Sequence, residues 1–495
     1  MAEAVIEERQ LLKSLHWYDG FVIALCNPGF LIGSLGFTLA TVGALGSMVL
    51  WGISATIGLL QNWIYSESAA MFPDKPGGIS LYAYEGWRKY FSVFGPIAAF
   101  GYWIGWSVVL SIFGNLIGSL ITAQWFPNAK VGGTAPGYFS TGLVNIGLPQ
   151  LIGIGLIIAV WLFNIFGVRP SLAVGYVTGA LLMIPLFVLI VLPYLTGSWD
   201  SSNMQFLIDD AAQPWKLALV WLFLMCWSAY GIEICASFAP EYHDTKRDTA
   251  LALRSAAMFS LGVYILLPLG AGGVLPTADI AANPLTFYVQ EFDKILGVGA
   301  GVVIALLCVS LFLSMNSATA DGGRALYGIA RDDMTVKQLF HLNRYHVPAR
   351  AMTVDLVVNL FLVFYVTSTL AILYISNIGY VAAHIFAVTG FLLLRRDRPA
   401  WPRAIRVSRI WIPIAVLIAA FNTLLLIVGI TNPELTYAAT WTDVAIGFGI
   451  LGAAILLFLY RRIVQDKERP HWREETPTMP DAHQAKLLEQ ELTSA

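Results

Sequence analysis

The sequence predicts an all-α integral membrane protein, and three observations carry that expectation. Over 495 residues the composition is 57% hydrophobic and only 12% charged, with a mean hydropathy of +0.69, far from the balance of a water-soluble domain. Runs of roughly 17 to 25 apolar residues, the length that crosses ~30 Å of hydrocarbon, centre near residues 28, 56, 108, 157, 184, 227, 266, 307, 361, 384, 421 and 451. With the N-terminus inside, the loops between these twelve spans assign every one of the 29 basic residues to the cytoplasm except Lys130, Lys216 and Lys294. Such a bias sets orientation, and a wrong span count would scramble it.

Taken in order, residues 1–14 form a polar, acidic cytoplasmic tail. It has no basic n-region or small-residue cleavage site, so the first helix is expected to remain in the mature chain. The long apolar stretch from Val354 to Leu394 is divided at Thr367-Ser368-Thr369 into spans nine and ten. After Arg461 the chain turns charged and proline-bearing and is expected to be solvated or disordered. Cys26, Cys226, Cys235 and Cys308 all fall within apolar segments, where a thiol acts as a small hydrophobe and implies no disulfide framework.

Two spans are irregular. In the first, Asn27-Pro28-Gly29 interrupts an apolar run. Proline removes a ladder donor and glycine permits an unwound turn, so the helix is expected to break there. In the sixth, Ser228-Ala229-Tyr230-Gly231 breaks the run, and a carboxylate follows at Glu233. In hydrocarbon an interruption survives only where it lines a cavity or binds something. Breaks in corresponding positions of two halves point to an inverted repeat meeting at the bilayer midplane. The expected organisation is therefore a five-helix repeat over 15–194, an inverted second repeat over 195–394, helices eleven and twelve over 395–460, and a cytoplasmic tail over 461–495.

Four local patterns resemble the amino acid, polyamine and organocation transporter superfamily. Glu67 to Pro73 is followed by Gly77-Gly78 and Tyr82. Tyr230-Gly231-Ile232-Glu233 precedes Glu241 and Lys246-Arg247-Asp248. Arg324 to Asp332 precedes Asn343 and Val347-Pro348, and a basic, proline-bearing loop follows Leu394. The resemblance implies a leucine-transporter-type fold of two five-helix inverted repeats plus two C-terminal helices, with substrate between broken helices one and six. Gly29 falls at the first glycine of that family's Gly-Ser-Gly break, but Phe30 and Leu31 replace the other two residues. Met183 stands about where many proton-coupled relatives carry a lysine.

The candidate substrate-binding residues are Asn27, Pro28, Gly29 and Phe30 at the first break; Ser228, Ala229, Tyr230, Gly231 and Glu233 at the second; and Tyr102, which with Trp103 and Trp106 offers an aromatic wall. Freed N–H groups at a half-helix start carry the positive dipole end and suit a carboxylate; a plain proline kink is the alternative. Glu233 either binds a substrate amine, carries a proton, or pairs with a neighbouring helix. Glu67, near the end of span two, reads as loop-pinning, and His384 and the Asn316-Ser317-Thr319 group as helix contacts. Nothing resembles a phosphate-binding loop, a metal-ligand cluster or a catalytic triad, so no enzyme activity and no cofactor are expected. There is no sequence argument for nucleic-acid binding. The expected function is secondary active transport of an amino acid across the cell membrane by alternating access, coupled to a proton or sodium ion. An amine or polyamine antiporter is the alternative transporter, and a ligand receptor that does not transport is the alternative from another class.

Overall fold

The computed structural model describes residues 13–72, 75, 77–129, 138–140, 145–365, 368–403 and 405–477. Arg9, Pro73, Lys130 and Thr367, which the sequence reading used, lie outside them. In chain order the helices are α1 (Trp17–Ala24), α2 (Cys26–Met71), α3 (Gly78–Phe91), α4 (Phe94–Ser107), α5 (Val109–Trp125), α6 (Leu148–Ile165), α7 (Val168–Ile190), α8 (Leu192–Thr196) and α9 (Pro214–Ala229). They continue with α10 (Ile234–Ser237), α11 (Thr245–Ala271), α12 (Thr277–Ala282), α13 (Tyr288–Leu296), α14 (Ala300–Arg331), α15 (Ala349–Tyr365), α16 (Thr369–Asp397), α17 (Trp411–Thr431) and α18 (Trp441–Tyr460). A two-stranded antiparallel ladder, Tyr138–Ser140 with Asn145–Gly147, is the one addition to the all-helical expectation among the described residues.

Among the described residues ten helical segments are long and apolar enough to cross a membrane. One of them, Trp17–Met71, holds 55 residues and is folded back on itself. In a straight helix Thr38 and Trp51 would stand about 20 Å apart, yet Trp51 Nε1 donates to Thr38 Oγ1 at 3.1 Å, and the Thr38 and Ser47 hydroxyls lie 2.7 Å apart. The reversal is at Gly43, whose φ of 78° only glycine adopts readily. A Cβ there would also lie 2.3 Å from the Gln205 carbonyl. α15, at 17 residues, is one residue shorter than the shortest of the ten. α16 begins where the sequence divided spans nine and ten, with the Ser368 hydroxyl accepting from the Ala371 N–H at 3.3 Å as an N-cap.

The pattern of burial is the reverse of a soluble protein. Leu417, Leu456 and Val302 expose 69%, 68% and 67% of their surface, whereas Glu233, Asp321 and Asp355 expose none. Apolar side chains facing outward and acids facing inward are what a hydrocarbon solvent selects. α2 packs on α9 and α11, α16 packs on α3 and α4, and α14 touches α2, α4, α5 and α7, so both irregular segments lie inside the bundle.

One end of the bundle is laced by ion pairs. Glu67 accepts from Arg395 and Arg403; Glu85 from Lys75, Arg88 and Arg398; and Glu241 from Arg324. Of the tail expected to be solvated or disordered, the described part up to 477 departs from that expectation, and 478–495 lie outside the described residues. Over 461–477 the chain lies along this end, held by Ser92 N–H to Trp472 O at 2.9 Å and Glu474 N–H to Arg88 O at 2.8 Å. Tyr84 and Arg462 donate to the Glu474 carboxylate at 2.5 and 2.7 Å, and Trp472 stacks on Phe91. Backbone pairing of this kind outweighs a composition that by itself disfavours order.

Candidate functional site

The first interruption falls at Leu25, between α1 and α2, two residues before the position expected from Asn27-Pro28-Gly29. Pro28 sits in the first turn of α2, where a missing N–H is one of those with no helical partner anyway, so it starts a helix instead of breaking one. Gly29 does not have a positive φ among the described residues that do. It is needed for space, because a Cβ there would lie 2.2 Å from Ser314 Oγ. That hydroxyl donates to the Cys26 carbonyl at 2.9 Å, which ties α14 to the first turn of α2.

The second interruption is where the sequence put it. α9 ends at Ala229, Gly231–Glu233 winds as a 3₁₀ turn, and α10 resumes at Ile234. The two breaks are tied together. The Tyr264 hydroxyl of α11 lies within hydrogen-bond reach of both the Ser228 and the Asn27 carbonyls, at 2.8 and 3.0 Å, and Ser228 Oγ donates to the Phe30 carbonyl at 3.1 Å. Both polar atoms of the Asn27 side chain are buried with no partner, and a Cβ on Gly231 would meet its Oδ1. Ala229 presents its carbonyl to Gly58, at 2.4 Å from where a Cβ would be.

An aromatic floor closes one side. The Phe30 ring stacks on Trp227 at 4.9 Å and leans on Trp106 at 5.2 Å. Tyr102 stacks on Tyr380, and its buried hydroxyl faces Asp321. Tyr230 points out of this group, donating to Asn422 Oδ1 of α17 at 2.8 Å.

Glu233 stands at the centre. Its Oε1 accepts from the Tyr380 hydroxyl at 2.5 Å and from Trp106 Nε1 at 3.3 Å, while its Oε2 has no partner. His384 Nε2 is 3.9 Å from Oε1, and its Nδ1 lies 2.8 Å from both the Tyr65 hydroxyl and Gln61 Oε1. Among the described residues no lysine or arginine pairs with Glu233, whereas Arg324 of α14 is already committed to Glu241. The arrangement offers one carboxylate oxygen, an open amide and an aromatic wall, a set that suits an ammonium-bearing solute.

The structure brings Asn27, Phe30, Ser228, Gly231, Glu233 and Tyr102 around one centre; Pro28 and Gly29 shape the helix start, and Ala229 and Tyr230 are packing positions. Sequence reasoning missed Asp321, Asp355, Tyr264 and Tyr380. Asp321 accepts from Ser237 of α10, and Asp355 accepts from Trp103 Nε1 at 2.6 Å. Both acids were visible as charges within apolar runs, a signal that carries functional weight in a membrane helix. A cavity of about 20 Å³, room for about one water, lies beside the site between α1, α7 and α14, lined by Ile23, Phe238, Ser317 and Arg324 among others.

Apolar spans, paired interruptions and buried unpaired acids together define a multi-pass membrane transport protein. The chain belongs to the amino acid permease family, whose model matches residues 15–455. It is 23% identical over 329 residues to a cadaverine/lysine antiporter of Escherichia coli, covering 66% of this chain and 69% of that one. It is 24% identical over 253 residues to a putative arginine/ornithine antiporter of the same organism, covering 50% and 52%. An amino acid transporter of Caenorhabditis elegans matches 83% of this chain and 75% of its own at 23% identity.

Proposed function

We propose that this protein is a secondary active transporter that exchanges an amino acid or amine across the cell membrane by alternating access, with the solute's ammonium group on Glu233. The observation that carries this reading is the unpartnered Oε2 of Glu233, buried between the two interrupted segments with no lysine or arginine beside it among the described residues. A buried carboxylate without a partner is costly, and a cationic solute supplies the partner. The antiporter relatives, described as acting on cadaverine and lysine or on arginine and ornithine, support an ammonium-bearing substrate and favour exchange over one-way uptake.

The architecture proposed with it is twelve crossings, since the fold-back at Gly43 divides one long segment and α15 adds another. They form two inverted five-helix repeats over 15–194 and 195–394 plus two C-terminal helices, and both termini face the cytoplasm. The gathering of the basic loops at one end of the bundle supports that orientation. Reconstituted vesicles loaded with unlabelled lysine are expected to accumulate labelled lysine, arginine or cadaverine, and empty vesicles to accumulate far less. Binding of these solutes without any uptake would favour a receptor, and no response to any of them overturns the substrate class.

A further inference from the structure

Asp321 lies on α14 and is fully buried. Its Oδ1 accepts from the hydroxyl of Ser237, at the end of the short half-helix α10. Its other oxygen, Oδ2, is faced by the buried hydroxyl of Tyr102 on α4. A second acid stands close by. Asp355 of α15 has its Oδ2 unpartnered and only 3.1 Å from where a Cβ on Gly322 would be. The other ionisable groups facing Asp321 are Glu233 from the 3₁₀ turn, Tyr380 from α16, Cys235 from α10 and Cys26 from α2. Arg324, one turn along α14, is the single cation in this set, and it is bound through two nitrogens to Glu241.

Two aspartates and a glutamate so placed, with one cation already taken, leave an ionised Asp321 without compensation. Sodium is a poor answer, since it needs several oxygen ligands around one point and the partners of Asp321 are one hydroxyl on each side. A proton needs one oxygen. We propose that Asp321 is the coupling-proton site of this transporter, and that its neutral carboxyl, hydrogen-bonded to Ser237, latches α10 against α14 and keeps the path to the basic end of the bundle closed. When α10 moves away, water reaches Asp321, the proton passes to that water, and the carboxylate becomes solvated. The closed arrangement then binds the proton more tightly than the open one, so raising the pH shifts the population toward open. The proposal rests on the reading of the chain as an alternating-access transporter but not on the identity of its solute.

The test needs no solute. The full chain in lipid nanodiscs is followed by hydrogen–deuterium exchange over residues 234–241, between about pH 5 and about pH 8, a window that covers buried carboxyls, after correction for the intrinsic exchange rate. The wild type is expected to exchange several-fold faster at the upper end than at the lower. Asp321→Asn, which keeps the shape of the neutral acid, is expected to be protected throughout. Ser237→Ala is expected to exchange fast at every pH, and Asp355→Asn, which removes a like charge, to shift the rise to lower pH. A flat wild-type profile, or a wild-type rise retained in Asp321→Asn, overturns the proposal. If Asp321→Asn does not assemble, Ser237→Ala decides it, and a wild-type profile in that variant overturns it equally.

Discussion

A Cβ atom on Gly231 would stand 2.6 Å from Oδ1 of Asn27, so the two interrupted segments meet where one of them has no side chain. Gly231→Ala therefore has to displace Asn27, or the neighbouring Phe30 ring at 3.2 Å, in a packed interior where overpacking costs about 1 to 3 kcal/mol. The expected result is a lower melting temperature and loss of lysine exchange. Asn27→Ala in the same chain should restore part of the stability, because the pair is in contact and so non-additive. Independent, additive losses would show that the two breaks do not share this contact.

Of the resemblance motifs, only the one holding Gly231 and Glu233 led to the centre. Glu67, Glu241 and Arg324 are family-pattern residues, yet each is spent on an ion pair at one end of the bundle. Glu233 and the sixth-span break were legible because an acid beside a glycine in an apolar run is unusual in any membrane helix. The first break was legible to within two residues, and the error has a physical cause: proline tolerates a first turn as well as it disrupts a later one. Asp321 stands three residues before Arg324, just outside the span-eight motif, and the sequence reading did not single it out. Tyr264 and Tyr380 carried no local signal at all, since what makes them matter is which carbonyl or carboxylate a different helix places opposite their hydroxyls.

Glu67 supports a stability prediction. Arg395 donates to its carboxylate through Nε and Nη2 at 3.0 and 2.5 Å, Arg403 Nη1 donates at 2.6 Å, and the Val407 N–H adds a fourth bond at 2.8 Å. Glu67→Gln leaves two largely buried guanidinium groups without their charge partner, which costs about 3 kcal/mol in such settings. The expected signature is a clear drop in melting temperature with lysine affinity unchanged in the protein that remains folded. A drop in affinity at unchanged stability would place Glu67 on the transport path instead.

Glu85 makes the stability of the same end depend on pH. Burial alone would push its carboxyl up, but Lys75, Arg398 and Arg88 outweigh burial and hold it below the ordinary carboxylate range. A depressed acid contributes stability that is fully present above its unfolded value of about 4.3 and is lost as the pH falls through the lower, folded value. Glu85→Gln should thus lower the melting temperature at about pH 7, and the gap to the wild type should narrow as the pH is lowered below about 4.3 and toward the folded value. A gap between wild type and variant that stays constant with pH would rule out this linkage.

Glu233→Gln separates the two jobs that a buried acid at the break can do. The amide keeps an oxygen for Tyr380 and Trp106, which now hold Oε1, and places an N–H₂ group where the unpartnered Oε2 was. If that oxygen receives the solute's ammonium group, the substitution removes a charge-assisted contact of about 1.5 to 3 kcal/mol and turns an acceptor into a donor facing a cation. Affinity for lysine or cadaverine should then fall on the order of 10- to 100-fold. A proton carrier behaves differently: binding and exchange persist at wild-type strength, and only uptake driven by a pH gradient disappears. The assignment of the proton to Asp321 and the solute to Glu233 makes the first outcome the expected one, with the opposite split in Asp321→Asn. Binding by calorimetry and pH-driven uptake, measured on both variants, decide it. A Glu233→Gln variant normal in both measurements would reduce Glu233 to a structural partner of Tyr380 and Trp106.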